Sequence, residues 1–390
     1  MGWRVRELRS DALTGIRLPA ALAIFFLHFG GPLVAWGPAW LERLRTAGYV
    51  WTSFFFVLSG FLLSRAYLPR LASGRMTPRE FWARRVARIY PGAIVAFLTL
   101  VPLLLLPSLR TAFFGPASGL VIAITGAAQL LLVQAWHPGL AATWNVPAWS
   151  MSVVAFAYLL FPWFALRLAR GRPRLRRLGI LLALVWGTAL IAPFLYLLLR
   201  PDGASQVTGA DTQLFWLRVL KFNPLLRLPE YLFGMVLGRF DSLRRERAAA
   251  RPVFGAVLSL GALGVICAAM LTADALPYPL LHNGLLLPAF GALLIGLSEG
   301  GGPLAWLLAR RPVVRVAETS FSIYVFQWPL MVWLTLGLGP HLSSESLAFR
   351  AVALVALIAL SLTSYRLLER PAERWMRRRF SSGAPALQPA

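Results

Sequence analysis

Apolar residues in this chain neither recur at the spacing of one helix face nor alternate as in a half-buried strand. They gather into long runs separated by short polar connections. The runs cover 14–34, 48–68, 89–108, 119–136, 148–167, 178–199, 223–240, 253–273, 280–298, 316–338 and 347–368. Their length, roughly 18–22 residues, is what a helix needs to cross about 30 Å of hydrocarbon. Spanning segments must satisfy their own backbone hydrogen bonds, and runs of this length do so as helices. The pattern predicts an all-α, polytopic helical membrane protein.

Composition narrows the class further. Of 390 residues, 58% are hydrophobic and 14% charged, against about 45–50% and 25% in soluble domains. A soluble enzyme, a disulfide scaffold and a disordered chain are excluded. The net charge of +24 comes from arginines placed between the apolar runs, so it reads as topology charge under the positive-inside rule and not as a nucleic-acid surface. The single cysteine, Cys267, lies inside a run and reads as packing. The first run follows Arg4, Arg6 and Arg9, yet it carries Arg17 and His28 and lacks a small-residue cleavage site. It is expected to be a retained helix and not a signal peptide.

The arginine clusters set orientation. The N-terminus and the stretches 65–88, 167–177, 239–251, 310–315 and 366–379 are basic and expected inside. Connections near 35–47, 200–222, 274–279 and 339–346, with Asp202, Asp211 and Asp274, are expected outside. Both ends of 88–167 must then lie inside although three runs separate them, so one run cannot cross. The weakest is 119–136, which holds Thr125, Gly126, Gln129 and Gln134 and leads into a Trp-rich loop. A re-entrant or buried, non-spanning segment is expected near 119–147, with 136–152 lining a cavity. About ten crossings remain, with both termini cytoplasmic. Residues 1–380 read as a single transmembrane domain and 381–390 as a flexible cytoplasmic tail.

Polar groups inside apolar runs are functional candidates. Arg17 and His28 are 11 positions apart, which at about 100° per residue returns them to one helix face some 16 Å apart. They are expected to line one cavity. His28 lies well inside a run, whereas His137, His282 and His341 fall in or beside loops. A structural role, bonding a neighbouring helix, is the plain alternative for this histidine.

The segments LTGIRLPAALAIFFLHFG, FFFVLSGFLLS, RRVARIYP, NVPAWSMSV with YLLFP, NPLLRLPEYLFGMVLG, SFSIYVFQWP and YRLLERPAERW resemble, in order, the landmarks of the acyltransferase-3 family of integral membrane O-acyltransferases. The resemblance spans about residues 10–378. It implies transfer of an acyl group, typically acetyl, from acyl-CoA to a hydroxyl of a sugar, glycan or macrolide-type acceptor. Acyl-CoA would be a co-substrate, with no permanently bound cofactor and no metal. It also implies a bacterial-type cytoplasmic membrane, with membrane lipid as surroundings. Arg17 and His28 take the family's catalytic positions, and Glu230 matches the glutamate of R-x-P-E. Arg85, Arg88, Trp149, Ser150 and Ser152 correspond to acyl-donor-binding motifs; Ser320, Ser322 and Tyr324 match S-x-S-x-Y.

Two positions depart from the family. Val154 stands where a glutamate usually follows the Trp-Ser motif, and Gln327 replaces the histidine before Trp-Pro. Gln327 hydrogen bonds but holds no proton near neutral pH.

Acyl transfer needs a base, oxyanion donors and an anion site for CoA phosphates. His28 suits the base; Glu230 is the carboxylate left within a run to orient or charge-balance it, with helix-end anchoring as the equal alternative. Arg85 and Arg88 suit bidentate phosphate contact, though inside-positive charge accounts for them as well. Trp144, Asn145, Ser322, Tyr324 and Gln327 are the expected acceptor or cavity-lining groups. Direct transfer is favoured because no serine sits in a G-x-S-x-G elbow, with a covalent acyl-histidine step as the alternative. Two other classes fit the same helices: a transporter of an amphiphilic or acylated substrate, and a relative that binds without turnover. The first often shows repeated halves, which this sequence lacks; the second would follow from the missing glutamate.

Overall fold

A computed structural model describes residues 10–171, 174–204, 206–209 and 213–380. Arg4, Arg6, Arg9, Asp211 and the expected 381–390 tail lie outside the described residues. The described chain is helical with no strand. Its main helices are α1 Ser10–Phe29, α2 Val50–Ala72, α3 Pro78–Leu98, α4 Pro107–Phe114, α5 Gly119–Leu130, α6 Trp149–Ala169 and α7 Leu175–Leu199. They continue with α8 Phe215–Phe222, α9 Pro224–Arg247, α10 Pro252–Leu271, α11 Leu287–Glu299, α12 Ser320–Leu338, α13 Leu347–Ser364 and α14 Arg370–Phe380.

Among the described residues, nine helical segments are long and apolar enough to cross a membrane. Helix α9 is not one of them, although its 24 residues reach about 36 Å. It carries Arg227, Glu230 and Asp241 on its buried surface. These charges are tolerated because α9 packs centrally, against α2, α6 and α7, and is shielded from lipid by them. By length it matches the nine, and the expected total of about ten crossings follows.

The stretch expected not to cross takes a short, bent form. Helices α4 and α5 meet at 65°, and the 12 residues of α5 cover only about 18 Å. Short turns carry the chain from there to α6. Protein groups satisfy this irregular segment, as membrane depth requires. Gln134 donates to the Ala148 carbonyl at 2.9 Å, Ser152 to the Leu132 carbonyl at 2.6 Å and Asn145 to the Val325 carbonyl at 2.9 Å.

Local chemistry fixes where helices start. Thr77 and Glu80 form a reciprocal capping box at α3, with Pro78 in its first turn. Asn223 caps α9 ahead of Pro224. At one end of the bundle Asp241, fully buried, gathers Arg65, Arg244, Arg245 and Ser298, tying α2, α9 and α11 together. The α2–α9 crossing is backbone on backbone: a methyl group at Gly60 would overlap the Tyr231 carbonyl, and one at Gly234 the Val57 carbonyl.

Gly234→Val is therefore expected to destabilise the bundle by about 1–3 kcal/mol through overpacking, read as a lower melting temperature in detergent. Gly261→Ala, whose added methyl meets open space, should leave that temperature unchanged.

Candidate active site

Helix α1 is built so that one continuous stretch, Arg17–Phe29, presents Arg17 and His28 to two different cavities. The first, of about 250 Å³, is lined by Arg17, Arg85, Arg88, Ser150, Val154 and Tyr158 among others. The second, of about 820 Å³, is lined by His28, Trp149, Lys221, Tyr278 and His282 among others. Three side chains belong to both walls: Ile24, Thr52 and Tyr324. The two spaces thus adjoin across these three side chains, which form a neck between them, with Ile24 one helical turn from His28. The wider cavity is walled by segments around 45–49, 207–209, 213–222 and 273–282, most of them in connections that the charge pattern places together on the outer face.

His28 is exposed on its helix and lines the wide cavity. Its Nδ1 lies 2.9 Å from the Ile24 carbonyl, which accepts only a proton. The Nδ1–H tautomer follows, and Nε2 carries the lone pair. Gln327 sits beside this ring and is anchored by its amide nitrogen, which donates to the Tyr324 carbonyl at 3.0 Å. Tyr324 is fixed in turn: its hydroxyl donates to the Pro147 carbonyl and accepts from Ser150 at 2.8 Å.

Arg17, Arg85 and Arg88 line the narrow cavity, while Arg45, Arg218 and Lys221 line the wide one. Arg17 makes no ion pair among the described residues and feels the positive charge of Arg88. Arg85 donates to the Tyr67 hydroxyl at 2.8 Å and lies over the Tyr67 and Tyr158 rings. Arg88 is bound by Glu369, with Glu373 at 3.6 Å, and donates to the Glu318 carbonyl at 3.2 Å. Val154 lines this wall, so the family's usual glutamate would have projected into it. Ser59 lines it too, 3.4 Å from the Tyr158 hydroxyl and with no histidine partner among the described residues.

Several expected site residues sit elsewhere. Glu230 does not reach His28; it is buried 3.0 Å from Arg227 on the same helix, because i,i+3 spacing on α9 brings the two side chains together. Ser152 and Asn145 are spent on the backbone bonds that hold the irregular segment. Trp144 packs between Phe97 and Phe114 and donates to Thr125 at 3.0 Å, away from both cavities. Ser322 bonds Glu369 and stabilises the Arg88 pair.

Three groups were missed. Glu369 emerges from a wide π-type turn, Tyr365–Glu369, a distortion that the sequence does not mark. Thr52 is ordinary in an aromatic run, yet its hydroxyl stands at the neck with no hydrogen bond among the described residues. His282, expected in or beside a loop, does stand beside one, at the end of the short helix Tyr278–His282, but it is only 3% exposed. The adjacent Asn283 and Gly284 were the turn signal, and the buried arginine that anchors the histidine is 55 positions away.

A family model described as an acyltransferase domain matches residues 10–366. The chain is similar to acyltransferase MdmB of Streptomyces mycarofaciens, 30% identical over 96% of this chain and 94% of that one. It is also similar to peptidoglycan O-acetyltransferase OatA of Listeria monocytogenes, 23% identical over 92% of this chain and 55% of the relative. No solved structure matches.

The pair between half-buried Arg88 and buried Glu369 makes a stability prediction. Arg88→Met should destabilise by about 2–4 kcal/mol, since it leaves a carboxylate unpaired, and Arg88→Met with Glu369→Gln should recover most of that. A double-mutant cycle of melting temperatures reads the coupling.

Proposed function

The chain belongs to the acyltransferase-3 family of membrane acyltransferases, and on that premise we propose that it transfers an acyl group, acetyl first among them, from acyl-CoA to a hydroxyl of a sugar, glycan or macrolide-type acceptor. One observation carries the reading. Two cavities adjoin at Ile24, Thr52 and Tyr324, with Arg17, Arg85 and Arg88 on one side and the His28 lone pair on the other.

In this reading the arginine side is cytoplasmic and receives the donor. Arg17 and Arg85 meet CoA phosphates, and Arg88, already ion-paired, shapes the mouth. The acceptor enters the wide cavity from the opposite face. His28 Nε2 takes the proton of the acceptor hydroxyl as its oxygen attacks the thioester carbonyl. Thr52 donates to the oxygen that gains negative charge. Collapse of the tetrahedral intermediate breaks the carbon–sulfur bond, and the thiolate leaves with the proton held by His28. The products are an ester and free CoA thiol.

Free-thiol release from acetyl-CoA tests this in lipid, with a panel of sugar and macrolide acceptors. Acceptor-dependent release is expected, falling about 10²–10⁴-fold in His28→Ala and about tenfold or more in Thr52→Val. Equal release by the intact protein and His28→Ala would remove the base from the reading. Acceptor movement across the membrane without thiol release would favour the transporter alternative.

A further inference from the structure

The wide cavity holds a second histidine that the reaction above leaves unused. His282 is fixed more firmly than a packing residue requires. Its ring stacks on Tyr49 at 5.5 Å between centroids and lies against Tyr278 at 5.4 Å. Its own carbonyl accepts from Arg227 at 2.8 Å and from Ser53 at 3.0 Å. Arg227, fully buried and paired with Glu230, also donates to Ser53 at 2.9 Å. A buried ion pair on the central helix thereby clamps the backbone that carries this ring.

The neighbours also assign the tautomer. Asn283 donates its amide nitrogen to the Leu220 carbonyl at 3.3 Å, which turns its Oδ1 toward His282 Nδ1 at 2.8 Å. An amide oxygen only accepts, so Nδ1 carries the proton. Arg227 approaches Nδ1 at 3.2 Å, but its shorter bond is to the carbonyl. Nε2 is therefore the lone-pair nitrogen. It has no hydrogen bond among the described residues, and its ring lines the wide cavity. His28 and His282 thus present the same unprotonated nitrogen to one space.

We propose that His282 Nε2 accepts a hydrogen bond from a second hydroxyl of the acceptor, so that the wide cavity selects polyhydroxylated rings and offers one hydroxyl to His28. The proposal rests on the acyl-transfer reading for the role of His28, but the binding it asserts is measurable without turnover. Asparagine at 282 keeps a donor near the Nδ1 position and loses the Nε2 contact; glutamine places its amide near Nε2.

The test is ligand-observed NMR titration of methyl β-D-glucoside and N-acetyl-D-glucosamine onto the intact protein, His282→Asn and His282→Gln in nanodiscs. Acceptor KM and kcat for thiol release are measured on the same preparations. His282→Asn is expected to weaken sugar binding about tenfold, the weight of one hydrogen bond, with the loss in turnover falling on KM. His282→Gln should recover most of it. Equal behaviour of the two variants, both as intact or both equally impaired, overturns the proposal, as does failure of either sugar to bind the intact protein. Binding that depends on His282 without any thiol release would uphold the subsite and sink the acyl-transfer reading. Thiol release with equal KM in both variants would do the reverse.

Discussion

A charge within the hydrocarbon layer must be matched by another charge or by a water-filled space, and this constraint sorts the polar residues of the protein into two kinds. Arg227 with Glu230, Asp241 with its three arginines, and Arg88 with Glu369 are matched inside the protein. They hold helices together and fix the positions of others. Among the described residues Arg17 and His28 have no such partner, and they face cavities instead. The residues left to meet a substrate are those the fold does not neutralise.

The same sorting explains what was legible in the sequence. Run length alone gives the helices, because hydrocarbon thickness sets it, and parity of the arginine-rich connections isolates the bent α4–α5 segment. The 11-residue spacing of Arg17 and His28 puts them on one face of α1. It does not reveal that the face passes a neck, so that one residue serves each cavity. Glu230 was assigned to His28 as the carboxylate at hand, whereas helical geometry gives it to Arg227 three residues earlier. Glu369 and His282 became visible only through partners 281 and 55 positions distant. Sequence patterns carry periodicity well and long-range pairing poorly. Trp144 and Asn145 show the converse, since polar and aromatic groups in an irregular loop are drawn into the bonds that let the loop exist at all.

The two family departures lie on different walls. Val154 leaves the arginine-lined cavity without the glutamate the family places there, so the positive charge of Arg17 and Arg85 faces that space undiluted by a carboxylate at 154. Gln327 keeps a hydrogen-bonding group beside His28 without adding a second titratable one. Neither change removes the feature on which the proposed reaction depends, the lone pair of Nε2 opposite the arginines.

The central claim is that donor and acceptor reach the neck from opposite faces. It is tested by reconstituting the protein in one orientation in sealed vesicles, with a sugar acceptor trapped inside and radiolabelled acetyl-CoA supplied only at the arginine-rich face. The account predicts labelled acceptor in the lumen while acetyl-CoA stays outside. Label appearing only when both substrates share one side would contradict it.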